Sequence, residues 1–219
     1  SAVAALLQDL LHRLDGGVRG GLRLELSHDA SHAFKVALER AEKILGQQAS
    51  DKNKLYALHA PEVECIGKGK ARTKYEFGVK TSFATTNERC KGGQFMLGAM
   101  ALPGNPYDGH TLSVVIPHVQ ALIGNEIRRI IADRGYRGHN ALAPYHMRVY
   151  VSEQKRGVTK TIKRELRRRA AVEPVIGHLK SDHRMDRNYL KGRAGDRANA
   201  VLAAAGALVV RSAERDVAA

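Results

Sequence analysis

The sequence predicts a mixed α/β domain preceded by a helical segment. Two observations carry that prediction. Apolar residues recur at helical spacing near the start, whereas beyond a polar stretch, "ASDKNK" at 49–54, short aromatic and β-branched runs alternate with helical ones. Apolar residues make up 43% of the 219, enough to bury a full core. We read 1–54 as a helical N-terminal segment with its linker and 55–219 as the α/β domain.

Each element has its own signal. "AVAALLQDLLHRL" has the spacing of an amphipathic helix, and "GGVRGG" breaks it. "LRLELS" alternates and suits a short strand, though six residues do not exclude helix. "SHDASHAFKVALERAEKILGQQ" is helical, with Asp29 or Ser31 as N-cap and Gly46 as stop. After the linker, "YEFGVKTSFA" reads as one strand, and "GGQFMLGAMAL" as a second entered by a Gly-Gly turn, giving an antiparallel hairpin. "PGNPYDGH" is a tight loop, and "TLSVVIPHVQALIG" a helix for which Asp108 or Thr111 is an available cap. "RRIIADRGYRG" holds a short apolar strand, Ile130–Ala132, ending in Asp133 and a glycine loop. "RVYVSEQ" gives one more strand. From 161 to about 182 the pattern is helical, with Pro174 inside it. The last helix, "DRANAVLAAAGALVVRSA", is nearly all apolar and must be buried or packed on a partner.

Net charge is +14 and the isoelectric point about 10.0, which points to a polyanionic partner. Residues 148–197 carry fifteen Lys or Arg against six Asp or Glu. Such a run is often just a solvated face, but its length, with "KRELRRR" inside it, favours nucleic acid. No apolar run approaches the length of a membrane span. The first residues lack the basic region of a signal peptide, so a cytoplasmic location is expected. Cys65 and Cys90 have no metal-ligand spacing and read as reduced thiols.

Two carboxylates stand out. Asp133 follows the apolar triplet at a strand end, where side chains leave the core and face a crevice. The bland alternative is an Asx-type turn residue. Glu173 lies on the later helix, with Arg169 four residues before it and Lys180 seven after. On one continuous helix these three share a side, so a metal ligand would be flanked by two phosphate contacts. The alternative is an i,i+4 surface pair worth a few tenths of a kcal/mol. Pro174 weakens that alternative, because a proline within a helix costs about 3 kcal/mol if uncompensated, so it reads as kinking or starting the helix to aim Glu173. An Asp on a strand end and a Glu on a facing helix suit hard cations that serve phosphoryl transfer.

These residues resemble bacterial insertion-sequence DDE transposases, in particular the insertion-sequence-five group and its relatives. The resemblance covers roughly residues 55–211. It rests on "LYALHAPEVECIGKGKA", "YEFGVKTSFATT", "LPGNPYDGHTL", "ADRGYRGHN" and "RELRRRAAVEPVIGHLKSDHRMDRNYLKGRAGDRANAVL". Related groups carry Tyr, two residues, Arg, three residues, Glu, six residues, Lys. Arg169, Glu173 and Lys180 match that spacing, and Leu166 takes the Tyr place. The resemblance implies an RNase H-like fold, two Mg²⁺ or Mn²⁺ ions, double-stranded DNA as partner (transposon ends and target), and a homo-oligomer on DNA. It implies three acidic residues, with Asp133 as the second and Glu173 as the third.

The first aspartate is expected on a central strand well upstream of "LYALHAPEV", and it looks absent. Asp29 is the one substitute considered, while Glu62 and Glu64 fall on a connecting segment. The expectation is therefore a C-terminal portion of a transposase, an RNase H-like domain lacking its first strand and with little strand transfer of its own. Smaller signals are basic turns that could bind phosphate, with Lys68 and Lys70 in "GKGKARTK" and Lys191 and Arg193 in "LKGRAGDR". Arg168 joins them as a DNA contact. His178 reads as a helix-surface or DNA-facing side chain rather than a ligand, and Asp108 as a turn-and-cap residue. The competing reading is a non-catalytic DNA-binding remnant. A ribosomal or nucleoid protein would explain the charge but not Asp133, Glu173 and Pro174.

Overall fold

A computed structural model describes residues 28–68, 74–88 and 94–217. The chain divides into two compact units between Gly78 and Val79. The expected helix at 2–14, the "LRLELS" strand, Lys70, Cys90 and the Gly-Gly turn lie outside the described residues. Mixed helix and strand content fits the expected α/β class. No described helix is long and apolar enough to cross a membrane.

In the first unit, helix α1 spans His28–Gly46, so Asp29 and Ser31 fall within it rather than ahead of it. The amide of Gln47 then reads the backbone of Leu55 as a neighbouring strand would. Its Nε2 donates to Leu55 O at 2.8 Å, and its Oε1 accepts from Leu55 N at 2.9 Å. That double contact fixes the return of the chain beside buried Leu55. Strands β1 (Glu64–Gly67) and β2 (Tyr75–Gly78) pair antiparallel, with Cys65 opposite Phe77. Cys65 is a free thiol.

The second unit begins with β3 (Lys80–Thr85) and β4 (Met96–Leu102), an antiparallel pair whose register shifts between Ala84 and Thr85. The single strand expected from "YEFGVKTSFA" is thus two. Gly78, at φ 140°, turns the backbone where only glycine is comfortable, and each half finds a different partner. Helix α2 (Leu112–Ile123) packs on β4. A Cβ at Gly98 would stand 3.2 Å from both Val119 and Leu122, so the glycine lets helix and strand approach closely. Neither expected cap acts through its side chain. Thr111 is the N-cap residue, but its hydroxyl donates to Asp108 O at 2.7 Å instead. Gly124 ends α2 in the left-handed conformation at φ 64°.

Strands β5 (Ile130–Ala132) and β6 (Val149–Val151) pair in parallel, joined through the short helix α3 (Ala143–His146). Leu112, Ile116, Ala141, Val149 and Val151 form the core between α2 and this pair. The expected helix from 161 to 182 is interrupted. Helix α4 (Lys160–Arg168) gives way to a 3₁₀ turn, Arg169–Ala171, and then to α5 (Val172–Ser181). Helix α6 (Gly192–Val217) closes the unit. Leu179 is fully buried with Val175 of α5 and with Ala203 and Ala207 of α6, against Phe83 and Met96. In the described part of the last helix that alanine face is buried, while Val201 and Leu202 are exposed.

Candidate active site

Ala132 is buried at the end of β5, and the next residue, Asp133, emerges with a side chain 60% exposed. Its Oδ1 accepts from Arg134 N at 2.7 Å and so caps the 3₁₀ turn Arg134–Tyr136. The turn role and the exposed strand-end position therefore coexist in one side chain.

Glu173 is held differently. Thr159 caps α4, its Oγ1 accepting from Ile162 N at 3.3 Å. After the 3₁₀ turn, α5 begins with Val172, Glu173 and Pro174. Pro174 is thus the third residue of a new helix, where a backbone N–H has no intrahelical partner to lose. Of the two roles read for Pro174, kinking or starting a helix, it has the second, and the cost of a mid-helix proline does not arise. Glu173 instead lies in the first turn of α5, where the helix dipole favours a negative charge.

Arg169 joins the two carboxylates. Its Nη2 lies 3.3 Å from Glu173 Oε1 and 3.9 Å from Asp133 Oδ1. Both distances share one nitrogen, so the two oxygens are no farther apart than their total, about 7.2 Å. The arginine side chain is only 21% exposed, against 60% for Asp133 and 68% for Glu173. A row of Arg, Glu and Lys on one continuous helix is not what forms. Arg169 belongs to the 3₁₀ turn, while Glu173 and half-buried Lys180 share α5. Arg168 ends α4.

The other basic candidates are dispersed. Lys191 and Arg193 are exposed at the start of α6, flanking Gly192 at φ 72°. Lys68, in the first unit, is paired with Glu76 at 2.8 Å. His178 Nδ1 is 2.6 Å from Asp182 Oδ2. The Ser181 hydroxyl and then His178 hold the Asp182 carboxyl below its usual range.

Sequence reasoning did not find the group behind Asp133. Asp108 does not cap with its side chain; Lys80 Nζ donates to its Oδ1 at 2.9 Å and to Pro106 O at 2.6 Å. Tyr136 is a partly buried neighbour in the turn after Asp133. Burial first, and the Asp108 and Asp133 carboxylates further, raise its hydroxyl, while Ser82 and Thr111 side chains offset part of that. Glu153, at φ 66°, pairs with Arg134 at 3.3 Å and Arg137 at 3.6 Å in the same loop. A lysine amid the strand-like "YEFGVKTSFA" was the available hint.

Among the described residues, no three His, Cys, Asp or Glu side chains converge as a metal-binding group. Mg²⁺ is commonly held by one or two carboxylates, with waters and substrate phosphates completing its octahedron. Asp133 and Glu173 fit that donor chemistry, around a point that already attracts a guanidinium.

A family model described as Transposase DDE domain matches residues 58–209. Neither a search of curated proteins nor one of solved structures returned a match.

Proposed function

Since the chain belongs to the transposase DDE domain family, we propose that it carries part of the metal-dependent DNA-cleaving and strand-joining centre of an insertion sequence, with Asp133 and Glu173 as ligands. The observation supporting this reading is the single guanidinium within 3.3 Å and 3.9 Å of two carboxylates that lie forty positions apart in sequence. The insertion-sequence-five group and an RNase H-like domain over 55–219 belong to the same proposal.

Bound Mg²⁺ or Mn²⁺, two ions in a complete site, would stabilise charge on the phosphoryl oxygens and make the attacking hydroxyl more nucleophilic. The chain's own residues do the rest. Asp133 and Glu173 present hard oxygens from a strand end and a helix start. Arg169 offers a planar fork to phosphate and Lys180 a point charge. Arg168, Lys191 and Arg193 extend the DNA contact, and Lys68 and Lys70 are proposed separately as backbone contacts of the first unit. On DNA the protein is proposed to be a homo-oligomer, working in the cytoplasm at the nucleoid.

The reading calls for three carboxylates, and the described residues bring two together. Strand transfer by this chain alone is therefore expected to be weak or absent, while Mn²⁺ binding is expected and should be lost in Asp133→Ala. The test is Mn²⁺ titration of both proteins, with a plasmid-nicking assay beside it. DNA binding with no Asp133-dependent metal site would identify a non-catalytic DNA-binding remnant instead.

A further inference from the structure

We propose that Arg169 is a resident counter-cation of the carboxylate pair, which must be displaced before a divalent ion loads and which then passes to a DNA phosphate. This rests on the reading of Asp133 and Glu173 as metal ligands, and it assigns that site a means of coupling metal to DNA.

The geometry is that of a loose placeholder. At 3.3 Å the contact to Glu173 is a long hydrogen bond, and at 3.9 Å that to Asp133 is an ion pair without a hydrogen bond. Neither carboxylate is gripped by the two-pronged fork that makes arginine pairs strong. The carboxylates are the exposed partners and the guanidinium the sheltered one, so an ion from solvent meets the oxygens first.

A small divalent cation needs oxygen ligands about 2.0–2.1 Å away. Bridging this pair would draw the two oxygens toward one centre, into the space beside Nη2. Like charges would then face each other, and Arg169 must move aside. Its position in the 3₁₀ turn between α4 and α5 lets it do so without disturbing the α5 ladder that carries Glu173. A displaced, half-desolvated guanidinium needs a new anion, and a phosphate matches its donor geometry. DNA should therefore make metal binding easier, and metal should make DNA binding easier by the same factor.

The experiment is Mn²⁺ titration of the full chain followed by electron paramagnetic resonance of the free ion, with and without a short duplex whose own Mn²⁺ binding is subtracted. Arg169→Gln should bind Mn²⁺ about fivefold or more tighter than the unaltered protein without DNA, and should lose most of the gain that DNA gives. Arg169→Lys, which keeps a cation, should stay near the unaltered protein in the absence of DNA. In the unaltered protein a duplex that leaves Mn²⁺ affinity unchanged would overturn the coupling, and with it the placeholder, even if Arg169→Gln folds poorly. Equal or weaker Mn²⁺ binding by a folded Arg169→Gln, with Asp133→Asn still impaired, would overturn the placeholder and leave the metal site standing. Unchanged Mn²⁺ binding in Asp133→Asn and Glu173→Gln would overturn the metal site itself, and the placeholder with it.

Discussion

Asp108 leans on Gly135 so closely that a Cβ on the glycine would stand 2.7 Å from Asp108 Oδ2. Lys80 holds the other oxygen at 2.9 Å, so the carboxylate has little freedom to turn away. Replacing Gly135 by Ala should destabilise the protein by about 1–3 kcal/mol through overpacking. Urea unfolding measures it. A double-mutant cycle with Asp108→Ala should return much of the loss, because the colliding oxygen is then gone. A Gly135→Ala protein as stable as its parent would show that the carboxylate turns away freely.

Leu179 is fully buried between α5, α6 and the β3–β4 pair. Leu179→Ala should cost about 2–5 kcal/mol, the range for cavities of this kind. The first turn of α5 carries Glu173, so Mn²⁺ affinity should weaken in the same variant, and calorimetric titration beside thermal unfolding would register both. Full stability in this variant would mean that the helices collapse onto the vacated space.

Pro174 gives the opposite expectation. It is the third residue of α5 and forfeits no intrahelical bond there. Pro174→Ala should therefore change stability by less than about 1 kcal/mol, mainly through a freer unfolded chain. A loss near 3 kcal/mol would point to a role beyond starting the helix.

That contrast shows what the sequence could and could not convey. Ile130–Ala132 was legible because three apolar residues stop abruptly at an aspartate and a glycine loop. The Arg169–Glu173 contact was legible because residues four apart meet on any near-helical path. The break at Arg169–Ala171 was not, since arginine and alanine favour helix and only Pro174 hinted at a restart. Gly78 hid the division of one strand-like run into two, because a glycine inside a strand pattern announces a bulge as readily as an end. The meeting of Arg169 with Asp133, and of Lys80 with Asp108, is set by tertiary packing over 36 and 28 positions, beyond any local pattern.

His139 supplies a pH dependence. Its Nδ1 is buried without a hydrogen-bond partner, and its ring lies 4.8 Å from that of His146. Burial first, and His146 second, lower it below the ordinary value of 6.5. The folded protein thus binds a proton at His139 less readily than the unfolded chain does. Its contribution is complete above about pH 6.5 and declines as pH falls from there toward the lowered folded value. Urea midpoints at about pH 7.5 and about pH 5 should differ less for His139→Gln than for the parent. An equal difference in both would remove His139 as the source.

Lys191 and Arg193 are exposed cations on either side of Gly192. If they meet phosphates, Lys191→Gln with Arg193→Gln should weaken DNA binding across sequences alike. The slope of log affinity against log salt should also fall by up to about 2. Fluorescence anisotropy over a salt series reads both. An unchanged slope would place the DNA elsewhere.

The cluster around Leu179 also sets when the helix that carries Glu173 gains its full backing during translation. Ala203 and Ala207 are synthesised after the whole of α5 and the loop beyond it. A nascent chain halted before α6 would carry Glu173 on a helix backed by Phe83 and Met96 but not by the alanine face of α6, although Asp133 would already have β6 beside its strand. The packing that steadies the Glu173 helix is therefore complete only once the ribosome has run well into the last helix.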